Sequence, residues 1–436
     1  MLDYKKLITI GLEKGLKDIQ IDVNESKSLK LTLYQGKLEN TTQSILSSAT
    51  ILGIYKNKKA SVFLENLSIE TFNNAVEQII SACELISTKE PALIYKGSKK
   101  YPEIKEDTFD FDQIEINKKI EYIKTLEKEV LKNKLCKQVQ TTQYIETSTS
   151  MIMVNSKGLC LSRKNTLAYG YALAVFEKKE DPQIAYKMEV VKDFNEFNPI
   201  KQAKETIKIG LGKLGGKPVP TNEYPVVFSS EMFSQIIDAF SSNFSAEAAI
   251  KDLTTLKDKV NTKIANENFT LIDDPLNKKA YFKYPFDNEG VACKKRIIVD
   301  KGVFKGFLHS LKTAKMFKTR PTGNNFGSVS FSNCYLKPGK TSFKSLIASL
   351  KDGIYITNLV GLHAGIQTIS GDFSLQASGY KITDGKLDYA VKMIVVSGNF
   401  FKMIQDIKAI GNDLKFFING IGSASVLINK LMISGK

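Results

Sequence analysis

The chain has 436 residues, 42% hydrophobic and 25% charged, with a net charge of +16 at pH 7. That length exceeds what one core usually fills, so two domains are expected, and the balance of residues is that of an ordinary globular protein. The longest apolar-rich stretch, residues 168–176, is about half the roughly 18–20 residues a membrane span needs. The first residues mix Lys, Glu and Asp among apolar ones and lack a signal peptide's apolar block, so an untargeted cytoplasmic protein is expected.

Leu2, Leu7, Ile8, Leu12 and Leu16 fall near helical spacing and predict an opening helix over 2–17, weakened by Gly11 and Gly15. Alternating apolar residues then predict strands from Ile19 to Gln35, a turn at Gln35-Gly36-Lys37, and a hairpin over 47–64 closed at Lys56-Asn57-Lys58. Phe72, Val76, Ile79, Ile80 and Cys83 share one side of a helix over 68–86 with Ser68 as its cap. Residues 88–112, rich in Lys, Pro and acids, read as a connecting arm. Ile116, Ile120, Ile123, Leu126 and Val130 predict a helix over 114–131, and strands alternate from Cys136 to Val191. Residues 1–199 therefore read as a mixed α+β domain whose motifs are those of packing.

A helix over 200–212 ends at Gly212, Gly215, Gly216 and Pro218, a strand follows at Tyr224–Phe228, and a helical stretch runs from Ser230 to about Phe240. Turns dominate thereafter: Asp273-Asp274-Pro275, Phe286 to Gly290, Arg320 to Asn324, Lys337-Pro338-Gly339, and the glycine-rich stretch Gly361 to Ser374. The short apolar runs between them, 296–299, 387–396 and 425–432, predict a mostly antiparallel, barrel-like β domain over 200–436. The expected fold class is thus α+β in two domains.

Candidate chemistry concentrates in the second domain. The stretch GLHAGIQTISGDFS places Gly361, Gly365 and Gly371 around His363, one of only two histidines, and puts Asp372 before the alternation Phe373, Leu375, Ala377. It reads as a glycine-cornered loop feeding a half-buried strand, which could hold a ligand but names no reaction. His309 and His363 lie 54 residues apart and neither adjoins a Glu, so a zinc-peptidase helix is not written here, although distant residues can meet in space. His363, Asp372 and Cys334 can be drawn as a nucleophile set, yet nothing in their spacing selects them and no Gly-x-Ser-x-Gly occurs. Asp273, Asp274, Asp287 and Glu289 could ligate a hard cation, but Asp ahead of Pro or Gly is ordinary turn chemistry. No phosphate-binding or dinucleotide fingerprint is present. The five cysteines (Cys83, Cys136, Cys160, Cys293, Cys334) form no Cys-x-x-Cys pair and predict reduced, mostly buried thiols. No catalytic residue, metal ligand or cofactor is assigned from the residues themselves.

The charge excess is +2 over residues 1–200 (29 basic, 27 acidic) and +14 over 201–436 (33 basic, 19 acidic). Such a surface could attract nucleic acid or an acidic peptide. Only Arg163, Arg296 and Arg320 are arginines, however, and base and phosphate recognition leans on the arginine fork. A solvated lysine surface is the favoured reading, and nucleic acid is not the expected partner.

Taken in order, Tyr224 to Phe228, Asp273-Asp274-Pro275, Phe286-Asp287-Asn288-Glu289-Gly290, Thr322-Gly323-Asn324, Asn333 with Pro338-Gly339, Gly361 to Phe373, Gly398-Asn399 and Gly411-Asn412-Asp413 resemble the TldD/PmbA family, and more closely its PmbA (TldE) branch. The resemblance spans nearly all of residues 200–436; the earlier part agrees only in general layout. It implies a two-domain intracellular protein that dimerises, in a family of zinc-dependent peptidases acting on unfolded peptides. The TldD branch carries His-Glu-x-x-x-His on the helix after the Pro-Val-Val strand and a cysteine near the C-terminus. Here Asp238, Ala239 and Asn243 stand at the two His and the Glu positions, in the order His, Glu, His, and Asn419-Gly420-Ile421-Gly422-Ser423 replaces the glycine-cysteine-glycine stretch. Hard oxygen donors cannot reproduce an imidazole and thiolate site, and alanine cannot activate water.

By that resemblance the chain is expected to be a non-catalytic subunit, either a homodimer or paired with a TldD-type zinc subunit, without a cofactor of its own. Asp287, Glu289, Asn324, His363 and Asp372 are the candidates for shaping the peptide channel or the dimer interface. Two other readings stay open: an independent hydrolase with a rearranged site, and a regulatory protein associated with nucleic acid or a topoisomerase, as the family's naming as a modulator of DNA gyrase suggests.

Overall fold

The carboxylate of Asp3 accepts the N–H groups of Lys5 and Lys6, so α1 (Tyr4–Glu13) starts capped and turns Leu7 into the interior. The computed structural model describes residues 3–87, 90–104 and 108–436. Leu2 of the expected first helix, and residues 88–89 and 105–107 of the expected arm, lie outside them. Across the Gln35-Gly36 turn, β1 (Asp18–Tyr34) and β2 (Lys37–Tyr55) form one long antiparallel ribbon. Its second strand begins at Lys37 rather than near Ser47, because most of residues 37–47 are exposed and carry no apolar alternation to read. Lys56 and Asn57, both left-handed, turn the chain into β3 (Lys58–Leu64). Ser68 and Thr71 exchange the reciprocal bonds of a capping box, and α2 (Ile69–Leu85) then lays Phe72, Val76 and Ile79 on the apolar end of the ribbon.

After α3 (Ile116–Leu131) come β4 (Cys136–Asn155), β5 (Cys160–Lys178), β6 (Asp181–Ala185) and β7 (Glu189–Val191). The sheet runs β3-β2-β1-β4-β5-β6, with β7 also on β5. A second core gathers Ile123, Leu126 and Val130 of α3 with Tyr144, Ala172 and Phe176. Into it α4 (Pro199–Lys213) inserts Ala203, so the helix at the expected domain boundary packs with the first core. Lys119 is buried there beside Glu146, its Nζ 2.7 Å from Oε2 and also donating to the Phe111 carbonyl at 2.8 Å.

The second half opens with β8 (Asn222–Phe228), α5 (Ser230–Ala239) and α6 (Ala246–Ile250). The strands β9 (Leu271–Asp273), β10 (Arg296–Asp300) and β11 (Val303–Phe304) precede α7 (Leu311–Met316), β12 (Cys334–Leu336) and α8 (Phe343–Ala348). Then come β13 (Asp352–Val360), β14 (Asp372–Thr383), β15 (Lys386–Asn399) and α9 (Phe400–Gln405). The chain finishes through β16 (Ile407–Ile410), β17 (Lys415–Phe416), β18 (Ile421–Ser423) and β19 (Val426–Ser434).

Five of these strands close on themselves: β8 pairs β13, β13 pairs β14, β14 pairs β15, β15 pairs β19, and β19 returns to β8. Only the β8–β13 pair is parallel, so the barrel is mostly antiparallel, as the turn-rich sequence predicts. Phe373, Leu375 and Ala377 alternate inward, and meet Val226, Ile354, Val396 and the inner face of α5 in one core. A second sheet, β11-β10-β9-β12-β18-β17, packs against this core through Leu271, Ile298 and Cys334.

The halves are joined by specific bonds. Arg163 of β5 donates from Nη1 to the Phe286 carbonyl at 2.6 Å and from Nη2 to Asn288 Oδ1 at 2.7 Å. Tyr101 donates to the Gly290 carbonyl at 2.7 Å, and Lys392 pairs with Asp181 at 2.6 Å. All five cysteines are free thiols, and Cys160 alone is exposed. Among the described residues, no helix is long and apolar enough to cross a membrane.

Candidate functional site

The Ser229 hydroxyl accepts the Met232 N–H and starts α5, whose Met232, Phe233, Ile236 and Ile237 face the core. That periodicity leaves Asp238 exposed on the outer side and Ala239 half-buried, and the short 3-10 turn Ser241–Phe244 then brings Asn243 fully inside. Asp238 Oδ2 accepts the side-chain amide of Asn419 at 3.1 Å. Surrounding protein pushes the Asp238 carboxyl above its ordinary value, and the Asn419 bond opposes that push. Asn243 donates from Nδ2 to the carbonyls of Phe240 (3.2 Å) and Thr368 (2.9 Å), while its buried Oδ1 has no partner among the described residues. The end of α5, the segment 419–423 and the loop after β13 therefore meet at one place. The sequence places these positions but carries no signal for the Asp238–Asn419 and Asn243–Thr368 bonds, which join residues far apart in the chain.

This donor set falls short of a zinc site: zinc takes imidazole nitrogen, thiolate sulfur and carboxylate oxygen, and of these the three positions supply only the Asp238 carboxylate. Asp238 and Asn243 offer oxygen alone, the Asn243 nitrogen is a donor spent on two carbonyls, and Ala239 offers nothing. Among the described residues, no group of three or more His, Cys, Asp or Glu side chains is placed to share a metal ion.

The glycine-rich loop is built by close backbone approach. A Cβ on Gly365 would lie 2.3 Å from the Ser374 carbonyl oxygen, and Gly371 has φ +88°. Asp372 accepts from Asn399 Nδ2 at 2.8 Å and from the Ser370 hydroxyl at 2.7 Å, and these bonds hold its carboxyl below its ordinary value. His363 sits exposed on the loop. Cys334 is fully buried in β12, and burial, with Asp273 and Asp238 nearby, pushes its thiol far upward. A solvent-facing imidazole and an enclosed, protonated thiol do not make a nucleophile and base.

Asp287, Glu289 and Asn324 gather elsewhere, in a knot of turns beside the first domain. Asp287 is buried; its Oδ1 accepts the N–H groups of Glu289 (2.9 Å) and Val291 (3.0 Å), and its Oδ2 that of Asn325 (3.0 Å). Burial outweighs these bonds and pushes its carboxyl up to about 7. Glu289 accepts the Leu311 N–H at 2.7 Å, and Asn324 donates to Asp273 Oδ2 at 2.7 Å. The carboxylates thus serve as acceptors that tie turns together. His309 lies nearby against Phe317, its buried Nδ1 without a partner among the described residues and its basicity lowered to about 4 by burial and by Arg296.

Comparison with known proteins gives these features a frame. Residues 109–214 match the PmbA/TldA metallopeptidase central domain, and residues 221–435 match the PmbA/TldA metallopeptidase C-terminal domain. A metalloprotease PmbA homologue of Buchnera aphidicola is 24% identical, the alignment covering 98% of this chain and 96% of that protein. A crystal structure from Thermotoga maritima, named as a candidate modulator of a DNA gyrase, superposes with a TM-score of 0.92 at 27% identity and 99% coverage of both chains. TldE from Thermococcus kodakarensis shares the fold, with a TM-score of 0.88 at 22% identity, covering 99% of this chain and 100% of that one.

Proposed function

Because the chain belongs to the PmbA/TldD metallopeptidase family, we propose that it is the subunit of a two-component zinc peptidase that holds no zinc itself. In this reading it works in the cytoplasm on unfolded peptides, beside a TldD-type partner that carries His-Glu-x-x-x-His. One observation carries the proposal: at the positions that would hold the metal, Asp238 accepts from Asn419, Asn243 donates its amide nitrogen to Thr368, and Ala239 offers no donor, so no imidazole and no base carboxylate stands there. A carboxylate and an amide engaged in this way brace the loop and the 419–423 segment, whereas the His-Glu-x-x-x-His site needs two imidazoles on the metal and a carboxylate free to activate water. An extended peptide could be gripped by strand addition at a sheet edge, which needs no side-chain chemistry from this chain.

The test is zinc content and peptide turnover of the purified chain, alone and mixed with a TldD-type chain. We expect no stoichiometric zinc, no cleavage of an unfolded peptide by the chain alone, and chelator-sensitive cleavage by the mixture. Near one zinc per chain, with turnover in the absence of any partner, would sink the proposal.

A further inference from the structure

A cleft of about 1260 Å³ opens between the arm segment 95–102 and the second domain. Lys96, Lys99 and Lys100 stand on one wall, Lys294, Lys305 and Arg320 on the other, and among the described residues no Asp or Glu lines it. All six are exposed, and among the described residues none has an ion-pair partner; Lys257, also at the cleft, pairs with Asp252. Between the walls the lining is apolar: Val260 is 40% exposed, Ile297 45% and Phe317 43%. Two buried polar atoms without partners among the described residues also belong to lining residues, His309 Nδ1 and Arg296 Nε, and His309 is only 8% exposed. None of Asp238, Asn243, His363 or Asp372 lines this cleft.

Like charges gathered along one cleft repel one another, and the six without an ion-pair partner among the described residues gain most from an anion entering it. The anion is a peptide rather than a nucleic acid on two grounds. The walls carry lysine almost throughout, where phosphate and base recognition favours the arginine fork. Two of the three exposed apolar side chains are aliphatic and give bases no stacking plane.

We propose that this cleft binds an acidic polypeptide segment, its carboxylates taken by the lysine walls and its apolar side chains by Val260, Ile297 and Phe317. The binding belongs to this chain alone and needs neither a partner subunit nor catalysis, so its failure leaves the peptidase reading untouched.

Fluorescence anisotropy with a labelled decapeptide alternating Glu and Leu tests it on the full chain, against a Lys/Leu counterpart and labelled oligo-dT of ten nucleotides. At ~0.1 M salt the acidic peptide should bind saturably and the basic one should not. Lys99→Glu, Lys294→Glu and Arg320→Glu combined should weaken binding about tenfold or more, as loss of three exposed charge pairs allows. The same substitutions to Gln should give a smaller loss. A control of equal charge change on the exposed face of α4, Lys201→Glu, Lys204→Glu and Lys208→Glu, should bind within about twofold of the parent. Absence of saturable binding, equal losses in the cleft and α4 variants, or tighter binding of the oligo-dT would each overturn the proposal.

Discussion

Replacing Arg163 by Met removes a guanidinium while keeping most of its apolar stem. In the intact chain that group forks onto the Phe286 carbonyl and Asn288 Oδ1 at 2.6 and 2.7 Å, and lies 5.3 Å from the Phe286 ring centroid and 5.7 Å from that of Tyr284. Hydrogen bonds from a charged donor contribute about 1.5–3 kcal/mol each, and a partly screened cation over a ring about 0.5–1 kcal/mol. Burial of the guanidinium disfavours its charge and offsets part of that gain, so a net loss of about 2–4 kcal/mol is expected. For domains of roughly 200 residues this corresponds to a fall in Tm of about 5–15 °C. Differential scanning calorimetry of the full chain is the assay, because the latch also couples the halves and its loss should broaden or split the transition. Arg163→Lys, which keeps the charge but cannot fork, should fall between. A single transition within about 1 °C of the parent in Arg163→Met would refute the claim that this residue fastens the two halves.

Asp22 is buried, its two carboxylate oxygens accept from Gln20, and burial raises it from 3.8 to about 7. A folded-state value above the unfolded one means that its protonation favours the fold, fully below about 3.8, and that this help is lost as pH rises through about 7. Asp22→Asn, neutral throughout, should therefore gain about 2–3 kcal/mol over the parent between pH 5 and pH 9 in paired denaturation curves, and a pH-independent difference would contradict the sign. Lys119→Ala should cost about 3–5 kcal/mol by stranding Glu146 in the interior, whereas Lys119→Met with Glu146→Gln should cost much less; equal costs in urea titrations would count against a buried pair.

Much of the first domain could be read from periodicity and caps, because its helices and long strands are local patterns. Ser68 announces α2, the stripe through Ile123 and Val130 announces α3, and Lys56-Asn57 announces a hairpin turn. The barrel-like character of the second domain was legible from its turns, but not which strands adjoin. Nothing in Pro225 to Phe228 says that its neighbours are Ile354 to Ile356 and Val426 to Ile428, since pairing partners share a pattern and not a signal. The candidate site divides in the same way. Positions 238, 239 and 243 could be aligned with a known motif, while the bonds that Asp238 and Asn243 make depend on residues 419 and 368, which only the folded chain brings near. Arg163 gave no signal either: its partners lie on turns more than a hundred residues away, and an arginine in a strand looks like a surface residue.

The closed barrel has a consequence for how the chain is made. Strand β8 leaves the ribosome with neither flank available, because β13 begins about 130 residues later and β19, which completes the ring, about 200 residues later. At roughly 5–20 residues per second, the last stave arrives about 10–40 s after the first. Until β13 emerges, Val226, Val227 and Phe228, all fully enclosed in the finished protein, wait on a strand with two open edges, and one edge stays open until β19 arrives. A nascent chain halted before Val426 should accordingly be held by chaperones or lost to aggregation, while the earlier sheet, whose strands are all synthesised by Val191, can already be folded.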